Sequence, residues 1–135
     1  MKVLAIDYGT KKIGLAISNE GNKSAKPFGN LTTSHKNLYE LKKIVEENNI
    51  YKIIVGVPIA EHQYGLKMTH IAIEFLNKLK DNFEIEIIEW DESFTTFYAV
   101  EKMKEAGIKE GKRNKRGTTD RWAAAIILQE YLDCH

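Results

Sequence analysis

The first eighteen residues, MKVLAIDYGTKKIGLAIS, restrict the fold of this chain more than any other stretch. An apolar run, Val3-Leu4-Ala5-Ile6, ends on a carboxylate, Asp7. The turn Tyr8-Gly9-Thr10-Lys11-Lys12 follows, and then a second apolar run, Ile13-Gly14-Leu15-Ala16-Ile17. Two short apolar runs joined through a Gly-containing loop predict a β-hairpin. Strands without polar alternation are those buried on both faces of a sheet. A carboxylate at the end of such a strand is costly to desolvate without a partner. Asp7 therefore calls for a metal ion, a cation or backbone N–H donors from the Gly turn; simple turn capping is the plainer alternative.

The rest of the chain supplies the sheet to which this hairpin belongs. Asn19 to Lys26 is polar, with Gly21-Asn22 as a turn signal. Pro27-Phe28-Gly29-Asn30-Leu31 is a strand candidate that Pro27 assigns to an edge or a strand start. Ser34 is the expected N-cap of a first helix, whose apolar stripe is Leu38, Leu41, Ile44 and Val45 and whose end is Asn48-Asn49. Tyr51 to Pro58 reads as a β-branched strand stopped by Gly56 and Pro58. Ile59 to Gly65 reads as a loop. A second helix carries Met68, Ala72, Phe75 and Leu79, and Phe83 to Trp90 alternates apolar and acidic residues as a half-exposed strand near an edge does. After Asp91-Glu92, Ser93 is the expected N-cap of a third helix, Phe94 to about Glu105, closed by Gly107. A basic loop leads to a last helix, opening near Thr118-Thr119 and running to Leu132. The order is β-β-β-α-β-α-β-α-α. Close strands pair antiparallel and helix-separated strands cross over in parallel, so an α/β fold with a mixed five-stranded sheet flanked by helices is expected.

Composition narrows the function classes. A chain of 135 residues, 43% hydrophobic, has the material for one domain with its own core spanning residues 1–135. Its formal net charge of +1 gives no global polyanion-binding signature, so any basic surface is local. The single cysteine, Cys134, cannot form an internal disulfide and has no visible catalytic partner. The first apolar run is too short for a signal peptide, and no stretch has the length of a membrane span, so a soluble cytoplasmic protein is expected. His35, His62, His70 and His135 show no metal-ligand spacing, and there is no P-loop or dinucleotide fingerprint. Tyr8 and Trp122 have the chemistry to stack on bases, but packing is the commoner role for such residues.

Carboxylates stand at functionally suggestive places. Asp7 closes the first strand, Asp91 and Glu92 close the last, and Asp120 opens the last helix. In open α/β sheets, sites form at the carboxyl ends of parallel strands. Asp120 shares a helical stripe with Ala123, Ala124, Ile127 and Tyr131, which is expected to face the sheet. Three clustered carboxylates need a cation to remain ionised together. Oxygen-only ligation fits Mg²⁺ or Mn²⁺, and two such ions ~4 Å apart suit phosphodiester hydrolysis. Taken singly, each has a plainer role, Asp120 with the helix dipole and Asp91 or Glu92 in capping. Beside them, positions 102–116 hold seven Lys and Arg residues against two Glu. Lys112, Arg113, Lys115 and Arg116 lead directly to Asp120, as a phosphate-holding loop beside a metal cluster would; a solvated surface loop is the alternative.

With these residues in view, the chain resembles the YqgF family, also called RuvX, whose members are described as Holliday junction resolvases or pre-16S ribosomal RNA nucleases. Asp7-Tyr8-Gly9-Thr10-Lys11-Lys12-Ile13-Gly14-Leu15-Ala16 is similar to the family's D-x-G-x-K/R-x-x-G-x-A. Val55-Gly56-Val57-Pro58 is similar to its G-L-P segment, and Asp91-Glu92-Ser93-Phe94-Thr95-Thr96 to its D-E-R-x-S/T-T. Thr119 to Gln129 is similar to its V-D-x-x-A-A-x-I-L-L-Q. The resemblance implies an RNase H-like fold and metal-dependent endonuclease chemistry on structured nucleic acid, either a ribosomal RNA precursor or branched DNA. By position it implies Asp7, Glu92 (or Asp91) and Asp120 as metal-binding carboxylates, with Lys11 near a substrate phosphate. Two departures stand out. Ser93 replaces the family's Arg, removing a bidentate phosphate or carboxylate partner. Ile59-Ala60-Glu61-His62-Gln63-Tyr64 replaces an Asn- and Gly-containing loop.

Two other functions share some of these features. The Asp7-to-Thr10 run also matches the phosphate loop of actin-like and sugar-kinase-like ATP-binding proteins, but those need two lobes, and 135 residues supply at most one. A non-catalytic RNA-binding module on the same fold is the other reading, favoured by Ser93. A junction resolvase requires a homodimer to cut two strands symmetrically, whereas trimming one RNA end is compatible with a monomer.

Overall fold

The computed structural model describes residues 1–57, 63–91 and 116–134, with side chains described for 1–57, 69–90 and 122–134. Five strands, β1 (Lys2–Tyr8), β2 (Lys12–Ser18), β3 (Ala25–Thr32), β4 (Ile50–Val57) and β5 (Glu86–Asp91), form one sheet in the order β3-β2-β1-β4-β5. Three described helices flank it: α1 (Asn37–Glu47), α2 (Gln63–Asn82) and α3 (Arg116–Cys134). β1 pairs antiparallel with β2, and β2 with β3; β1 pairs parallel with β4, and β4 with β5. The hairpin and mixed sheet expected from the sequence are present. Among the described residues, no helix is long and apolar enough to cross a membrane.

β1 is central and both its faces are covered, which explains its unbroken apolar run. Leu4 and Ile6 pack with Leu15, Ile53, Val55, Leu41, Phe75 and Leu79 under α1 and α2. Val3 and Ala5 point the other way and pack with Ala16, Ile54, Ala124, Ile127, Leu128 and Tyr131 under α3. The stripe expected on the last helix is thus largely borne out by Ala124, Ile127 and Tyr131, while Ala123 packs instead with Ile126 and Trp122.

Several boundaries differ from expectation. The helix cap is Lys36, not Ser34, and it makes no side-chain cap hydrogen bond. Ser34 instead caps the turn that leads into the helix: its hydroxyl accepts the Lys36 N–H at 3.2 Å, and the Asn37 side-chain oxygen accepts the Ser34 N–H at 2.8 Å. Gly56 does not stop β4; it is an interior residue paired with Asp7 on one side and Trp90 on the other. α2 starts at Gln63, so the segment read as loop to Gly65 already contains helix. β5 starts at Glu86 rather than Phe83, whose N–H instead closes the end of α2 on the Leu79 carbonyl. α3 starts at Arg116, so Arg116 is helical rather than part of a loop, and Asp120 is the fifth helical residue. β3 is longer than Pro27–Leu31, but Pro27 lies on an edge strand as expected, beside a register shift at Leu15/Ala16. Among the described non-glycine residues, Asn22 and Asn49 take positive φ values, both 54°, in the two places where the sequence signals a turn and a helix end. Pro58, the segment 59–62, Ser93, the helix expected over 94–105 and Gly107 lie outside the described residues.

Candidate active site

Asp7 is the half-buried carboxylate near the carboxyl end of the central strand. Strand alternation puts it on the same face as Val3 and Ala5, which is the face that α3 covers. Its cross-strand partners are both glycines: Gly14 on β2 and Gly56 on β4. Gly56 is in turn level with Trp90 on β5. A row Gly14–Asp7–Gly56–Trp90 thus crosses four strands at one height. The two glycines bring no side chain over the carboxylate. Trp90 forms the far wall, edge-to-face with Tyr131 at 5.7 Å and donating its indole N–H to Glu130 at 3.2 Å. Sequence reasoning missed this row. Its signal was a single Gly inside each of two otherwise apolar strands, which marks close approach.

The other carboxylates can be located by backbone. Asp91 pairs with Val57, one residue beyond the level of Asp7 and two strands away, or about 10 Å across the sheet. α3 is anchored where Gln129 accepts the Ala25 N–H, next to Ser18 and hence level with Val3, whose N–H bonds to the Ser18 hydroxyl. Ala123 to Leu128, which precede that anchor, are all buried. Asp120 stands nine residues before Gln129 on α3. Among the residues with described side chains, no group of three His, Cys, Asp or Glu comes together. The side chains of Asp91 and Asp120, and all of Glu92, lie outside that set.

Lys11 is exposed at the turn that follows Asp7, at the same end of the sheet. A Cβ on Gly9 would stand 2.6 Å from the Lys12 carbonyl oxygen, so this tight turn requires glycine. Tyr8 points to the opposite face and stacks on Phe75 at 4.2 Å, which makes it a packing residue. Burial, with the nearby Glu74 carboxylate second, pushes its phenol pKa up. Trp122 is half-buried against Ala123 and Ile126. Of the basic residues, the backbone of Arg116 opens α3, whereas Lys112, Arg113 and Lys115 lie outside the described residues.

Comparison with known proteins places the chain in a family and a fold. The RuvX family model, described as Holliday junction resolvase, matches residues 1–134. The chain is 36% identical over 136 residues to a Ruminiclostridium cellulolyticum protein named "Putative pre-16S rRNA nuclease", covering 98% of this chain and 94% of that one. It is 39% identical over 137 residues to an Acetivibrio thermocellus protein of the same name, covering 98% and 96%. T. thermophilus RuvC, solved with a Holliday junction substrate, superimposes with a TM-score of 0.57 at 17% identity, covering 99% of this chain and 95% of that one. The Fowlpox virus resolvase, solved with Holliday junction DNA, gives 0.57 at 12% identity, covering 99% and 98%. The fold is RNase H-like, that of the RuvC-type resolvases. By the match along its whole length and by its relatives, the chain belongs to the RuvX (YqgF) family.

Proposed function

We propose that this chain, as one domain, is a metal-dependent endonuclease that hydrolyses phosphodiester bonds in structured nucleic acid, in pre-16S ribosomal RNA processing or in the resolution of branched DNA. Membership of the RuvX family supports nuclease activity. The observation that carries the chemistry is the half-buried Asp7, flanked by Gly14 and Gly56, on the face that α3 covers.

The donor set fits a hard divalent cation. It consists of oxygen ligands, Asp7 with Glu92 (or Asp91) and Asp120, and Mg²⁺ or Mn²⁺ takes such ligands. When bound, two such ions would neutralise the scissile phosphate and acidify the attacking water. The protein's part is to hold Asp7 on a rigid central strand between two glycines, Gly14 and Gly56, and to bring up phosphate-binding cations. Lys11 does this from the turn, and Lys112, Arg113, Lys115 and Arg116 from the segment entering α3. These cations hold the backbone while the carboxylates determine where it is cut. A cytoplasmic site of action fits both substrates. RNA-end trimming would need only a monomer, and symmetric junction cleavage would need a homodimer.

The test compares wild type and Asp7→Asn on a precursor ribosomal RNA fragment, a four-way DNA junction and a plain duplex, each with Mg²⁺ or Mn²⁺ and again with chelator. Cleavage that needs both metal and Asp7 is the expected result, and the preferred substrate names the process. Binding without cleavage in every condition would replace the nuclease by a non-catalytic nucleic-acid-binding module.

A further inference from the structure

The turn after Asp7 is tied down by a residue from a distant part of the chain. Thr33, just past β3, donates its hydroxyl to the Gly9 carbonyl at 2.7 Å and its N–H to the Lys11 carbonyl at 3.0 Å. Thr33 is itself held on both sides by Asn37. That side chain belongs to a residue only 4% exposed at the start of α1. It donates to the Thr32 carbonyl at 3.1 Å and to Glu40 at 3.0 Å, and it accepts the Ser34 N–H at 2.8 Å. Asn37 at the start of α1 thus clamps the residues on either side of Thr33, and Thr33 itself bonds to the turn.

The tether has a direction. A trans peptide is planar, with its C=O and N–H pointing opposite ways. Holding the Gly9 carbonyl toward Thr33 turns the Thr10 N–H to the other side of the loop. That N–H donates to no group among the described residues. Lys11, next in sequence, is exposed. The turn cannot relax easily, because Gly9 is already packed against the Lys12 carbonyl. One conformation thus offers a backbone donor and an ammonium from adjacent residues, a combination that suits a phosphate oxygen.

We propose that Thr33 is a positioning residue for nucleic-acid phosphate. By tethering the Gly9 and Lys11 carbonyls, it presents the Thr10 N–H and the Lys11 ammonium to one backbone phosphate. The proposal rests on the nucleic-acid reading above for its ligand, but not on cleavage.

The test is binding of a fluorescein-labelled four-way DNA junction and of a labelled structured RNA, measured by anisotropy in EDTA over a range of salt. Thr33→Val keeps the branched shape and loses the donor; Thr33→Ser keeps the donor. The expected result for Thr33→Val is affinity about tenfold weaker, with the slope of log affinity against log salt shallower by about one, the signature of one lost phosphate contact. Thr33→Ser restores both. Lys11→Ala gives a similar loss, and the double variant Lys11→Ala/Thr33→Val falls well short of the product of the single losses. A wild-type salt slope in Thr33→Val, no rescue by Thr33→Ser, or losses that multiply would overturn the proposal, as would absence of wild-type binding. Cleavage is followed separately with Mg²⁺, so a wild type that binds but does not cut removes the nuclease reading while the binding data still decide the role of Thr33.

Discussion

Gln129, on the last helix, accepts the backbone N–H of Ala25 at 2.9 Å across a sequence separation of 104 residues. Its amide nitrogen also donates to the Lys23 carbonyl at 3.2 Å and to Asp133 at 2.9 Å. One side chain thus joins α3 to the start of an edge strand and sets the height at which the helix lies on the sheet. Gln129→Leu removes the acceptor and leaves the half-buried Ala25 N–H unpaired. A loss of about 1–2 kcal/mol in stability is expected, read from the urea midpoint at unchanged slope.

Asp7→Asn preserves shape and removes charge. Cleavage is expected to fall by at least about two orders of magnitude, the scale seen when one group stabilising developing charge is lost. Thermal unfolding gives a second readout. Mn²⁺ at about a hundred times its dissociation constant stabilises a protein by about 2.7 kcal/mol. That gain is expected in the wild type and is expected to be largely absent in Asp7→Asn. An equal gain in both would move the ion away from this carboxylate.

Gly9→Ala tests the turn. The added Cβ would meet the Lys12 carbonyl oxygen at 2.6 Å, and backbone on both sides cannot step aside cheaply. A destabilisation of about 1–3 kcal/mol is expected, together with weakened nucleic-acid binding. Wild-type stability would mean that the turn has a second conformation of similar energy.

Alkaline stability has a defined sign. Burial first, and the Glu74 carboxylate second, raise the Tyr8 pKa above its ordinary 10.0. The Tyr131 hydroxyl at 2.6 Å raises that of Lys52 above its ordinary 10.5, more than burial lowers it, with Glu86 at 3.3 Å acting in the same direction as Tyr131. Above those ordinary values the folded state binds more protons than the unfolded state, so stability falls as pH rises. Urea unfolding at a series of pH values from about 9 to about 11 is expected to show this decline, and Tyr8→Phe is expected to flatten it while keeping the ring against Phe75. An unchanged slope in Tyr8→Phe would assign the decline elsewhere.

The architecture was legible because its signals are local and redundant. The spacing of the apolar runs separates hairpin strands from helix-crossed strands, and Pro27 marks an edge that the sheet order makes one. Asp7 could be singled out as a carboxylate ending a fully apolar run. Boundaries were less legible where two local preferences compete. Ser34 does make cap-type contacts, with Lys36 and Asn37, but they close a turn ahead of the helix, which starts at Asn37. Gly56 looks like a stop because glycine weakens strands, yet pairing on both sides carries β4 through it. The row Gly14–Asp7–Gly56–Trp90 was illegible for a different reason: it is a property of register, and its members come from four strands far apart in the chain. The Thr33 tether is likewise a long-range fact, since nothing beside Thr33 in sequence announces Gly9.

The central place of β1 has a consequence for how the chain comes into being on the ribosome. The hairpin of β1 and β2 can pair as soon as it emerges, but the other edge of β1 stays open until β4 has been made, and Val3, Ala5 and Ala16 stay uncovered until residues 116–134 arrive. A nascent chain therefore carries an uncovered apolar surface from the first strand onward, and the helix that shields it is the one that carries Asp120. Folding is complete only when the helix that carries Asp120 has docked, so a prematurely terminated chain leaves the face of Val3, Ala5 and Ala16 bare.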